Sequence, residues 1–195
     1  LAREQRVANL VFNTNSYAAG NQATLSGTSQ WSDGTNSDPV AAISDALDIP
    51  VMRPNIAVFG QTAWTKTRRH PKLVQAIKGT AQGAGQVTRA EFADFFEIQE
   101  VLVGAGFANS AKKGQTVAMA RVWGKHAAFL YRDRAAGPQA GVTFGFTAET
   151  GTRVAGNIDE PKIGLMGSQR VRSGERCKEV ISAIDLGYWF QNAVA

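Results

Sequence analysis

The chain contains one cysteine, Cys177, and two histidines, His70 and His126, in 195 residues. A single cysteine excludes an internal disulfide and fits a reducing compartment, or one indifferent to redox. A histidine-based metal site needs further ligands at suitable spacing, and neither HxxxH nor CxxC occurs. His70, standing before a proline, reads as a cap or turn residue, and His126 as the entrance to a strand. No apolar run approaches the roughly 20 residues of a membrane span, and no signal-peptide pattern opens the sequence. Charges of one sign never gather into a long block, so there is no polyionic tract.

Catalytic signatures are missing as well. No serine stands in GxSxG, and GxGxxG fails twice, with Thr88 and Asn109 where the third glycine is due. A phosphate-cradling loop also needs a strand before it and a helix after it, and nothing helical follows Lys113. Glu97 with Glu100, and Asp159 with Glu160, are neighbours in sequence only, whereas glycosidase chemistry needs carboxylates across a cleft. Cys177 lies between Arg176 and Lys178, which would lower the pKa of an exposed thiol, but it reads more simply as a half-buried strand residue. The reading is therefore of a protein that is not an enzyme, with no cofactor, no metal and no small-molecule substrate.

What is present is an ordinary core. With 44% hydrophobic residues, one domain is the default, and folding at this length buries roughly 70% of the unfolded surface. The net charge of +5 would let a basic chain meet nucleic acid through phosphate contacts. The basic pairs Arg68-Arg69, Lys112-Lys113, Arg132 with Arg134 and Arg170 with Arg172 are scattered, and aromatics do not alternate with them as in a stacking platform. They read as solvated surface, with a DNA-facing side as the alternative.

The organising stretch runs from Arg53 to Phe107: a strand ending on Gly60, a helix pair broken at Pro71, a Gly-rich gap, a helix, and a strand at Val101–Val103. Before it, LAREQRVANLVF has helical spacing at Val7, Leu10 and Val11, and reads as the end of a longer helix whose beginning is absent. About 25 polar residues follow, a length expected of a functional or partner-ordered loop. Trp31 is expected to pin that loop to the body or to a neighbour. Asp38-Pro39 starts a helix with stripe Val40, Ile43 and Leu47. Thr88 to Glu91 is a capping box ahead of an aromatic stripe, Phe92, Phe95 and Phe96, read as core. Strands are expected at 117–123, 127–131, 141–147 and within 178–194, with turns at Gly124-Lys125 and Gly137-Pro138. Helices first and strands later, without βαβ alternation, predict an α+β fold with a mixed or antiparallel sheet.

The succession NLVFNTNSY…LSGTSQWSDGTNSDPVAAISDAL, RPNIAVFGQTAWTKTRRHPKLVQAIKG, EFADFFEIQEVLVGAG and VWGKHAAFLYRD resembles the major capsid proteins of tailed bacteriophages. These share the Hong Kong 97-type coat fold with herpesvirus shells and encapsulin compartments. The resemblance implies residues 1–37 as the end of the spine helix plus the polar loop of the peripheral domain. It implies 38–176 as mainly axial domain and 177–195 as strands returning to the peripheral domain, with the N-terminal arm and extended loop absent from this chain. It further implies a phage or prophage shell subunit, assembled in the host bacterial cytoplasm and resident in the virion. Its partners would be copies of itself in pentamers and hexamers, scaffolding and portal proteins, and packaged double-stranded DNA bound non-specifically; no membrane is implied. Trp31, Lys112 and Lys113 are the candidate subunit-interface residues. An encapsulin-like shell protein, a basic nucleic-acid-binding module, and a small enzyme using the glycines around Gly83 or Gly104 are the alternatives.

Overall fold

In the computed structural model, residues 2–79, 84–137 and 141–195 are described. Along the chain, α1 (Ala2–Val11) precedes strand β1 (Gln22–Thr24), α2 (Pro39–Asp48) and β2 (Ile56–Gly60). Next come α3 (Gln61–Thr67), α4 (Pro71–Lys78), α5 (Arg89–Phe96) and β3 (Glu100–Gly104). The short strands β4 (Phe107–Asn109) and β5 (Met119–Arg121) lead to β6 (Ala127–Leu130) and β7 (Gly145–Glu149). A hairpin of β8 (Val154–Glu160) and β9 (Ser168–Gly174) is followed by β10 (Cys177–Ile181) and β11 (Gly187–Gln191). The chain divides into a larger unit, Leu1–Gly145 with Ile181–Ala195, and a smaller one, Phe146–Val180.

Local chemistry explains the helix boundaries. The Asp38 carboxylate accepts from the Val40 and Ala41 amides at 3.1 and 3.2 Å, and Pro39 occupies the first helical turn of α2, where its missing N–H costs nothing. Pro71 restarts the chain as α4 after α3 ends, and Gly79 stops α4 at φ 65°, a conformation that favours glycine. Thr88 and Glu91 cap α5 reciprocally, each side chain accepting from the other's amide, at 3.2 and 2.8 Å.

The larger unit is built on one mixed sheet, order β1-β11-β6-β2-β3. β2 runs parallel to β3 and antiparallel to β6, while β11 is antiparallel to β6 and parallel to β1. Side chains alternate across the pleat. Ala57 and Phe59, Ala127 and Phe129, and Tyr188 and Phe190 face one layer, packed with Ile43, Leu47, Trp64, Leu73 and Phe92 from α2 to α5. Ile56 and Val58, Ala128 and Leu130, and Trp189 face the other, with Val11, Tyr17, Phe144 and Leu186. Covered on both faces, β2 and β6 read as continuous apolar runs. The mixed α+β architecture agrees with the sequence expectation.

Several expectations need correction. The polar segment after α1 is not one of them, since pinning it to the body was one of the two expectations for Trp31: β1 lies beside β11, the Trp31 amide donates to Ala193 O at 2.8 Å, and the Gln30 side-chain amide reaches Asn192 O and Val194 O. Phe95 is exposed, because the core-facing positions on so short a helix are Phe92 and Phe96. The strand expected at 117–123 is only Met119–Arg121, since Asn109 Oδ1 accepts from both Ala111 and Ala118 amides and holds the flanking residues in a loop. The strand expected at 141–147 begins at Gly145. The tail is two strands, separated by a 3-10 turn at Ile184–Leu186. Pro138 of the expected Gly137-Pro138 turn, and most of the Gly-rich gap before Ala84, lie outside the described residues.

Candidate functional site

The arrangement nearest to a catalytic one lies where the polar loop meets α4. Ser37 Oγ donates to Asp33 O at 2.6 Å, so its lone pairs face His70 Nε2, 3.1 Å away. Nε2 also lies 3.2 Å from Asp33 O, which places the imidazole proton on Nε2. The serine proton is thus committed to a carbonyl, and the ring meets the hydroxyl as a donor rather than as a base. That is the reverse of a nucleophile–base pair. His70 Nδ1 is buried with no partner. Burial lowers the His70 pKa, against an opposing rise from its contact with Asp33. A cavity of about 290 Å³ beside it is lined by Trp31, Ser32, Gly34, Lys66 and Arg69, among others, without a carboxylate. His70 is therefore a clamp between loop and helix. His126, at the start of β6, accepts from the Asn192 amide through Nδ1 at 3.1 Å, and burial lowers its pKa too.

The glycine pair after β3 is a packing seat. A Cβ on Gly104 would collide with the Trp123 indole, and one on Gly106 with the Glu4 carboxylate. Trp123 Nε1 donates to Glu4 Oε1 at 2.8 Å, so the ring is fixed over the backbone it covers. No open anion-binding loop exists at Gly104, and Gly83 lies outside the described residues. Of the scattered basic pairs, Arg132 and Arg134 converge on Glu100 at 2.6 and 3.5 Å, Arg170 meets Glu160 at 3.2 Å, and Arg68 donates to Gln86 at 2.6 Å. Among the described residues, no group of three or more His, Cys, Asp and Glu is placed to hold a metal.

What the larger unit does offer to a partner is surface. Lys112 and Lys113 are exposed on the turn between β4 and β5, an arm that also exposes Phe107, Val117 and Met119. Arg121 lies over the Phe107 ring at 4.5 Å. Trp31 is 2% exposed, its ring 5.0 Å from Phe190, so the indole holds the loop to this chain and leaves the loop's outer residues as the free face. Lys112-Lys113 and Trp31 lie on separate elements of the chain, the turn between β4 and β5 and the loop before α2.

The smaller unit offers more, and sequence reasoning missed it. β8 and β9 pair antiparallel from Val154↔Gly174 to Glu160↔Ser168. Nearly every residue of both strands is exposed. The turn joining them carries Ile163, Leu165 and Met166 in solvent, the last two at 100% and 94%. A two-stranded hairpin is marginal in water by itself, and large apolar side chains at its tip mark a contact surface. The only sequence signal was Pro161, Gly164 and Gly167 punctuating the segment between VAGNIDE and SQRVRSG.

The family model described as phage major capsid protein E matches residues 9–153. The major capsid protein of Pseudomonas phage JBD67 is 51% identical over 195 residues, covering 100% of this chain and 63% of the relative. That of Burkholderia phage BcepMu is 31% identical over 198 residues, covering 96% of this chain and 61% of the relative. A solved phage-related protein from Bordetella bronchiseptica RB50 superposes with a TM-score of 0.79 at 22% identity, over 98% of this chain and 63% of its own. That last likeness shows the fold alone. This chain spans less than two thirds of each of these proteins.

Proposed function

Because this chain belongs to the phage major capsid protein E family, we propose that it is the structural part of a coat subunit that tiles with copies of itself into a closed icosahedral shell around packaged DNA. The observation that carries the reading beyond family membership is the exposure of two extended arms, β4–β5 and β8–β9, whose apolar side chains bury little within their own chain. An arm of that kind gains its stability from a neighbour. Closure multiplies modest contacts into a stable assembly, because each apolar burial is repeated at every symmetric copy.

In this reading the body is a Hong Kong 97-type coat fold. Residues 38–176 are mainly axial domain, residues 1–37 carry the end of a spine helix and its loop, and 177–195 return to the peripheral domain. The mixed sheet between two layers, and the superposition on a phage-related protein, support that assignment. The role is structural rather than catalytic, supported by the inverted Ser37–His70 polarity and the covered glycines. Partners are copies in pentamers and hexamers, scaffolding and portal proteins, and double-stranded DNA held without sequence preference. The site of action is the virion, after assembly in the host cytoplasm. Lys112 and Lys113 contact a neighbouring subunit, and Trp31 contributes by presenting the outer face of its loop. The phage origin of the curated relatives favours a capsid over an encapsulin compartment.

Imaging and sizing the complete coat protein tests the proposal. Closed shells or capsomers are the expected outcome. A monodisperse monomer at high concentration would overturn it.

A further inference from the structure

The β8–β9 tip and a second surface, on the larger unit, are matched in chemistry. At the end of α2, Ile49 and Met52 are exposed and Val51 is 81% exposed, although its amide donates to Asp185 O at 3.2 Å. The rim is acidic. Among the described residues, Asp48 and Glu97 share one cation, Arg53, at 3.5 and 3.8 Å, and Asp185 adds a further carboxylate. Arg53 also donates to Phe96 O at 3.3 Å, which joins the α2 turn to the end of α5 as one continuous surface. The hairpin tip presents the complementary set: Leu165 and Met166 fully in solvent, Ile163 partly so, and Lys162 beside them. Among the described residues, no ion pair engages Lys162 or Arg172, whereas the neighbouring Arg170 is neutralised by Glu160.

We infer that the β8–β9 tip of one copy docks on the Ile49–Met52 turn of a second copy, with Leu165 and Met166 covering Val51 and Ile49 and Lys162 facing the Asp48–Asp185 rim. The occupant is a second copy of this chain because the two surfaces carry opposite charge and the same exposed apolar character. Donor and receiver differ, so the contact is head-to-tail, the kind that closes into a ring when the rotation allows. A hairpin tip is small against the roughly 1,200–2,000 Å² of a self-sufficient interface. The contact therefore acts as one clasp among several and sets which neighbour is gripped. This inference rests on the shell reading above and goes beyond it by naming both halves of an intersubunit contact.

The test uses the complete coat protein carrying Cys177→Ser, with Leu165→Cys and Val51→Cys introduced together. Mild oxidation of assembled particles should give a ladder of disulfide-linked multimers that neither single-cysteine variant produces. In parallel, Leu165→Asp with Met166→Asp should keep the far-ultraviolet circular dichroism and melting temperature of the parent, yet lower the yield of assembled particles at least tenfold. If the parent assembles while the double cysteine gives no ladder, or only a cross-link within one chain, the inference is overturned. Normal assembly of the double aspartate overturns it equally, and would assign the tip to a different partner. A parent that stays monomeric removes the shell reading and this inference with it.

Discussion

At the scale of single residues, His70 has a consequence for pH. Its ring is 2% exposed as a residue, donates from Nε2 and leaves Nδ1 without a partner, so a second proton has nowhere favourable to go. Burial holds its pKa below the ordinary imidazole value of about 6.5. The unfolded chain then binds the proton first. The stabilisation is complete above about pH 6.5 and is lost as pH falls from there toward the folded-state pKa. His126 is shifted the same way, also by burial, and adds to the same window. The melting temperature is expected to fall as pH drops through this range, and His70→Gln should flatten the slope without abolishing it. A profile of equal slope in the variant would contradict the clamp role. Amide exchange at Ser32–Ser37 should rise together with the loss, because those residues hang from the imidazole.

Gly104 makes a second residue-scale prediction. Alanine there meets the Trp123 ring, which Glu4 fixes from the other side. Overpacking of this kind costs about 1–3 kcal/mol, readable by chemical denaturation. Gly156→Ala on β8, where a new Cβ meets nothing within 4 Å, is the matched control and should shift stability by less than about 0.5 kcal/mol.

At the scale of elements, the polar loop between α1 and α2 is held by Trp31. Removing the indole by Trp31→Ala opens a cavity against Phe190 and is expected to cost about 3–5 kcal/mol. Limited proteolysis should then cut within the loop before it cuts α2. Replacing the α2 cap, Asp38→Ala, should cost about 1 kcal/mol and leave the loop protected. The same comparison shows what was legible beforehand. The capping box at Thr88, the break at Pro71 and the stop at Gly79 are written in local chemistry, and each appears where the sequence placed it. β2 and β6 were legible because strands buried on both faces are apolar without interruption. β1 was not, since a three-residue edge strand of Gln, Ala and Thr is specified by its distant neighbour β11, through the pairing Gln22↔Trp189, rather than by its own pattern. The β8–β9 hairpin escaped for a related reason. Its two faces are both exposed, so no alternation of apolar and polar residues is imposed on it. The tip residues offered as a docking surface were therefore invisible, while Lys112 and Lys113 drew notice through charge alone.

At the scale of the whole molecule, the buried apolar clusters belong to the larger unit among the described residues. Neither apolar cluster of the larger unit draws a side chain from Phe146–Val180. Replacing Val154–Gly174 by a short Gly-Ser turn should leave the melting temperature of the larger unit within about 2 °C of the parent, by calorimetry, while assembly fails. A large fall in melting temperature would show that the hairpin supports the body, and would weaken its assignment to an external contact.

The strand order carries one more implication. β11, the last strand of the chain, lies between β1 near the beginning and β6, and the Trp31 amide is held by Ala193 O. A ribosome must therefore release everything from β1 through β11 before the middle of the sheet can zip shut, so an open seam persists while that stretch is being made. Contacts this distant in sequence make for slow folding, and the sheet closes only after translation has passed β11.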